Sequence, residues 1–262
     1  MDQTDPHALL AALAWQVEMG IDEAIGEEPI DRFASVEPVA TSAPAPQAAQ
    51  IATASPDPAQ VAIADAQARA AAAHDLEGLR IAMDSFEHCA LRQGARNFVF
   101  ADGSPAADLM IVGEAPGRDE DREGRPFVGR SGQLLDRMLA AIGRDRNEED
   151  TMRGVYITNV LPWRPPANRD PDKSEMAMMK PFLLRHIALA RPKALLLLGN
   201  SAMKTLYRTD RGITAMRGQW HEVEGIPAIA SFHPAALLRN GLHKRSVWED
   251  LLMLNARLRD GS

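Results

Sequence analysis

From residue 107 onward the chain alternates two hydrophobic patterns. Short runs that are apolar almost throughout, "ADLMIVGEA" (107–115), "GVYITNV" (154–160) and "KALLLLGN" (193–200), read as strands buried on both faces. Between them lie stretches with apolar residues three and four apart, the spacing of a helix with one buried face. These are "SGQLLDRMLAAIG" (131–143), with Ser131 as its expected N-cap, and "KSEMAMMKPFLLRHIALA" (173–190). In the second, Pro181 predicts a kink or a late start, because it removes a backbone donor and crowds the preceding turn. "SAMKTLY" (201–207) predicts a short helix, and "QWHEV" (219–223) and "IPAIASFHP" (226–234) extended segments. "HKRSVWEDLLMLNARLR" (243–259) predicts a closing helix. Strands alternating with helices give a three-layer α/β/α sandwich around a mostly parallel four-stranded sheet.

The first 80 residues follow a different pattern. Residues 8–26 have helical apolar spacing, with Leu9, Leu10, Leu13, Val17 and Ile21 on one face. "SVEPVATSAPAPQAAQIATASPDPAQ" is rich in Pro, Ala, Ser and Thr, and offers too little apolar surface to offset the entropy of ordering it. "PAQVAIADAQARAAAAHDLEGLRIAMDSF" is an Ala-rich helical run ending at Phe86. The division is therefore a helical segment at 1–32, a disordered linker at 33–58, an Ala-rich helix at 59–82 and the main domain at 83–262.

Charge sharpens this division. The net charge is −7 over 262 residues. Residues 1–80 hold 3 Lys/Arg against 13 Asp/Glu, and residues 81–262 hold 26 against 23, so an acidic front precedes a mildly basic body. Only the body suits a phosphate backbone. One cysteine, Cys89, excludes a disulfide framework and a four-cysteine metal site within the chain. The acidic N-terminus does not fit a signal peptide, and no apolar run is long enough for a membrane span. The expected setting is the cytoplasm, with no membrane partner, and the expected state a monomer. The N-terminal helix offers an apolar face to a protein partner.

In open parallel sheets, ligands sit at the carboxyl ends of the strands. Three loops there carry polar chemistry. The first, "VGEAPGRDEDREGRPFVGRSG", holds Glu114, Asp119, Glu120, Asp121 and Phe127. The second, "ITNVLPWRPPANRDP", holds Asn159, Trp163, Asn168 and Arg169. The third, "ASFHPAALLRN", holds His233, Leu237, Leu238 and Arg239. Singly, each has an ordinary reading: Asn159 as a turn cap, His233 as a turn or core histidine, the acidic run as a solvated face. No histidine joins the acidic run to make a metal site, and no G-x-x-x-x-G-K-[ST] loop is present. An aromatic, an amide and an imidazole at three strand ends are more telling together.

The motifs "GEAPGRDEDREGRPFVGRSGQLL", "ITNV-x-x-x-RPPANRDP" and "SFHPAALLRN", in this order, closely resemble the uracil-DNA glycosylase superfamily, and within it family 4. The resemblance runs from "SFEHCALRQGARNFVF" to the C-terminus. It implies an α/β/α sandwich, uracil-containing DNA as the partner, base flipping, and hydrolysis of the uracil–deoxyribose bond to leave an abasic site. Carried over residue by residue, Phe127 resembles the aromatic that stacks on the uracil, and Asn159 the amide that reads its edge. His233 resembles the histidine near uracil O2. Glu114 and Glu120 match acidic positions of the first motif, with Glu114 favoured for positioning water or countering positive charge on the sugar. Asn168 and Arg169 brace their loop or meet phosphate. Leu237 resembles the wedge that enters the duplex, with Arg239 beside a phosphate. A sister group that traps uracil-DNA covalently carries a basic insertion after the second motif, and that insertion is absent here.

One departure stands out. The family usually holds a [4Fe–4S] cluster on four cysteines, and those positions fall here on Phe86, Cys89, Trp163 and Met179. One thiolate cannot hold such a cluster. No cofactor is therefore expected, and the three large apolar replacements are expected to pack with Cys89 in the cluster's volume. The competing expectation for the chain is a weak or inactive uracil-DNA-binding protein of the same fold.

Overall fold

The computed structural model describes residues 57–260. The expected N-terminal helix, and nearly all of the linker, lie outside the described residues. The chain enters with helices α1 (Pro58–Ala72) and α2 (Leu76–Asp84), then a single turn α3 (Leu91–Gly94) and edge strand β1 (Ala101–Gly103). Strand β2 (Leu109–Gly113) leads into α4 (Arg118–Glu123) and α5 (Arg130–Ala140), and β3 (Tyr156–Asn159) into α6 (Lys173–Ala190). Strand β4 (Ala194–Leu198) is followed by α7 (Gly199–Tyr207) and α8 (Ile213–Met216). A hairpin of β5 (Trp220–Val223) and β6 (Ile226–Ser231) then leads to α9 (Pro234–Arg239) and the closing α10 (Lys244–Asp260).

The sheet order is β1-β3-β2-β4-β6-β5. The inner four strands are parallel, as the sequence pattern predicts. The sheet is nevertheless six-stranded, because β1 and β5 add antiparallel edges. Strand β1 is only three residues long and escapes a pattern search for that reason. Every residue of β2, β3 and β4 is buried, matching their unbroken apolar runs. The β2-to-β3 and β3-to-β4 connections move in opposite directions across the sheet. Right-handed crossovers therefore put α5 on one face and α6 on the other.

The Ala-rich run is two helices rather than one. The break falls at Ala73–Asp75, where Asp75 caps α2 by accepting the Gly78 N–H at 2.7 Å. Ala62, Ala66 and Ala70 form a buried stripe one turn apart, which lets α1 pack closely on α6. Helix α6 runs through Pro181 and starts at Lys173, so the proline does not delay it. Its start is held by Glu175, which accepts the Asp172 N–H at 2.8 Å. Helix α5 begins at Arg130 with Gly129 as its N-cap, so Ser131 lies inside the first turn.

Candidate active site

The site is built where the parallel strands end. Gly113, the last residue of β2, pairs in register with Asn159, the last of β3, and Leu198 of β4 pairs with Ser231 of β6. The loops leaving these ends carry the chemical groups. Glu114, Glu120, Phe127, Asn159, Asn168, Arg169, His233 and Arg239 all line one cleft of about 300 Å³. That is the lower end for a small-molecule pocket and suits a single flat ring.

Phe127 is buried and lies against His233, with ring centroids 5.3 Å apart and planes 29° apart. Its backbone is left-handed, with φ 54°, a conformation that costs a bulky residue on the order of 1–3 kcal/mol. Two glycines make this arrangement possible. A Cβ on Gly132 would sit 1.7 Å from the Phe127 carbonyl oxygen. One on Gly113 would sit 2.4 Å from Asn159 Oδ1 and 2.5 Å from Phe127 Cε2. Asn159 is also buried, and its amide makes no hydrogen bond to protein groups among the described residues. An amide offers a donor and an acceptor, so this one is free to read a complementary pair.

His233 caps α9: its Nδ1 accepts the Ala235 N–H at 3.2 Å, which leaves the proton of the neutral ring on Nε2. Burial, helped by nearby Arg239, lowers its pKa to about 4, so the imidazole is neutral at physiological pH. Glu114 accepts a hydrogen bond from Ser201 Oγ at 2.6 Å. Burial pushes its carboxyl above the usual range, against the pull of the Ser201 hydroxyl. Ser201 lies in the first turn of α7, and sequence reading missed it because nothing local marks a serine 87 residues away as a partner.

The structure places the other expected site residues as follows. Glu120 points both oxygens at backbone: Oε2 accepts from Gly117 N–H at 3.1 Å, and Oε1 from Val128 and Gly129 N–H at 3.0 and 2.9 Å. It ties the loop around Phe127. Asp121 is likewise buried and accepts from the backbone of Arg96 and Asn97, so this part of the acidic run is not a solvated face. Arg169 is paired with Glu175 at 3.0 and 2.5 Å, and Asn168 accepts from Arg164 at 2.7 Å, so both brace the proline loop. Arg239 is exposed and has no ion pair among the described residues. Leu237, expected as the wedge, is only 4% exposed and packs in the core. Its neighbours Leu238 at 45% and Leu242 at 85% are the exposed apolar side chains on this segment. Leu237 and Leu238 sit about 100° apart on α9, and here Leu237 faces inward while Leu238 faces solvent.

The positions expected to correspond to cluster ligands are all buried: Phe86, Cys89, Trp163 and Met179 are each at most 2% exposed and share the core. Phe86 meets Phe182 edge-on at 5.2 Å, and Trp163 meets Phe98 at 5.6 Å. Burial raises the Cys89 thiol pKa, which disfavours the thiolate. Phenylalanine offers no ligand and tryptophan only a donor N–H, so this set does not fit an iron–sulfur cluster. No group of three or more His, Cys, Asp or Glu poised for a metal occurs among the described residues.

Residues 100–252 match the family model described as the uracil DNA glycosylase superfamily. The chain is 38% identical to a type-4 uracil-DNA glycosylase of Sulfurisphaera tokodaii, over 67% of this chain and 81% of that one. It is 40% identical to one of Archaeoglobus fulgidus, over 59% of this chain and 78% of that one. It is 38% identical to one of Thermotoga maritima, over 62% and 84%.

Proposed function

The chain belongs to the uracil DNA glycosylase superfamily, and on that premise we propose that it is a uracil-DNA glycosylase of DNA repair. It hydrolyses the bond between uracil and deoxyribose in DNA. The carrying observation is the meeting of Glu114, Phe127, Asn159 and His233 in one cleft, with the imidazole held neutral.

The uracil, flipped out of the stack, lies on Phe127, and the Asn159 amide pairs with its edge. The C1′–N1 bond breaks with its electron pair passing to the base. His233 Nε2–H donates to uracil O2, where negative charge collects. A neutral imidazole can fill this role because it keeps its Nε2–H and stabilises the anion by donating that hydrogen bond, without transferring the proton. The Glu114 carboxylate faces the positive charge on the sugar and orients the water that adds to C1′, whose proton is then released. Glu120, with its oxygens engaged by three amides, holds the loop rather than the water. Arg239 meets a phosphate, and Leu238 or Leu242, not Leu237, probes the gap in the duplex. No iron–sulfur cofactor takes part, since the donor set does not suit one. The working setting is the cytoplasm; among the described residues no helix is long and apolar enough to cross a membrane.

The test is strand cleavage of a uracil-containing oligonucleotide after alkali. The wild type cleaves and Asn159→Ala is reduced by orders of magnitude. Binding without cleavage by the wild type would replace the enzyme with a uracil-DNA-binding protein.

A further inference from the structure

Arg146 lies in the loop between α5 and β3, outside every motif of the site, with its side chain only 8% exposed. Its guanidinium has five donors and all five are used. Nε and Nη2 donate to Asp136 Oδ1 at 2.9 and 2.7 Å, and Nη1 donates to Asp102 Oδ2 at 3.0 Å. The two remaining donors take consecutive carbonyls of the first loop: Nη1 to Pro126 O and Nη2 to Phe127 O, each at 2.9 Å. Asp136 is on α5 and Asp102 on β1, so two separate elements aim the fork.

The peptide so held is the one in an unfavourable conformation. Phe127 has φ 54°, and its carbonyl is pressed against Gly132. Strained backbone persists only where its surroundings over-determine it. Here Glu120 holds the amides that follow, Val128 and Gly129, while Arg146 holds the carbonyls of Pro126 and Phe127. Both sides of the turn are fixed, which sets the direction in which the Phe127 side chain leaves the backbone.

We propose that Arg146 is a positioning residue for uracil excision: it locks the Phe127 peptide so that the ring is ready as the platform for the flipped base. This rests on the reading of Phe127 as that platform. Lysine cannot substitute, because a point charge on a flexible stem cannot hold two carbonyls and two carboxylates in one plane.

The test is single-turnover excision on a uracil oligonucleotide by the full-length chain, with thermal melting as the fold control. Arg146→Lys keeps the charge between Asp102 and Asp136, so it should fold. It should slow excision roughly 10–100-fold, the scale of a misplaced contact of about 1 Å. Arg146→Gln should do the same, though with a lower melting temperature. The deciding measurement is the pair with Phe127→Ala. If Arg146 acts through the ring, Arg146→Lys should slow the Phe127→Ala enzyme no further. Multiplicative slowing in the double variant, or wild-type excision by a folded Arg146→Lys, overturns the proposal. Unchanged excision by Phe127→Ala alone would instead overturn the platform reading.

Discussion

Gly113→Ala isolates the geometry of the site with a single methyl. Gly113 has an ordinary strand backbone, so alanine is acceptable there on conformational grounds. The obstacles are Asn159 Oδ1 at 2.4 Å and Phe127 Cε2 at 2.5 Å from the added carbon. Ordinary contact begins near 3.4 Å, so the amide and the ring must each retreat by about 1 Å or the strands must part. Overpacking of this kind costs about 1–3 kcal/mol. Displacing two recognition groups by about 1 Å should lower excision on the order of 100-fold. The assay is single-turnover release of uracil beside a melting curve. Gly94→Ala serves as the control, since a methyl there meets nothing within 4 Å. The expected outcome is a folded Gly113→Ala chain of lower stability and about a hundredth of the activity, with Gly94→Ala unchanged. A Gly113→Ala chain that excises uracil at the wild-type rate would falsify the arrangement of Asn159 and Phe127 described here.

Other consequences follow from single residues. Ser201→Ala removes the donor that opposes the burial of Glu114, so the acid limb of kcat/KM should move to higher pH, read from a pH–rate profile. His233 has a folded pKa of about 4 against an ordinary value near 6.5, so the unfolded chain binds more protons between these pH values. Stability from this group is therefore complete above about pH 6.5 and lost as pH falls toward 4. Urea unfolding should show about 2 kcal/mol between pH 7 and pH 5 that His233→Gln abolishes, while the share of His186, lowered by burial to about 3, remains. Leu237→Ala should cost about 2–5 kcal/mol in unfolding experiments. Leu242→Ala should leave stability within about 0.5 kcal/mol and slow excision from duplex more than from single strands. Protein purified without oxygen should carry far less than stoichiometric iron and no absorbance near 400 nm; stoichiometric iron would mean that Phe86, Trp163 and Met179 do not fill that volume.

Much of the site could be read from the chain because each key residue ends or follows a legible strand. Asn159 closes "YITN" and His233 follows "IPAIASF", so topology alone sends both to one edge of the sheet. Apolar runs marked β2, β3 and β4, and the large apolar side chains of Phe86, Trp163 and Met179 pointed to the buried positions they occupy. Long-range partners were not legible. Ser201 beneath Glu114, Arg146 behind Phe127, and Asp250, which accepts from Ser231 at 2.6 Å and pairs with Arg217, belong to segments far apart in the chain.

The sequence by itself determined the order of the inner strands and the main helices between them, the parallel inner sheet and the loops that bear the chemistry. Those depend on local periodicity and turn residues, which neighbours along the chain supply. Tertiary structure decided which polar groups are free to act. Glu120 and Glu114 are both carboxylates of the segment that follows β2, yet three amides occupy the first while the second keeps a single hydroxyl partner and a raised pKa. Leu237 and Leu238 are adjacent and identical, yet a 100° step around α9 buries one and exposes the other. Such assignments depend on what lies across space from each group, and hydrogen bonding and burial are set there.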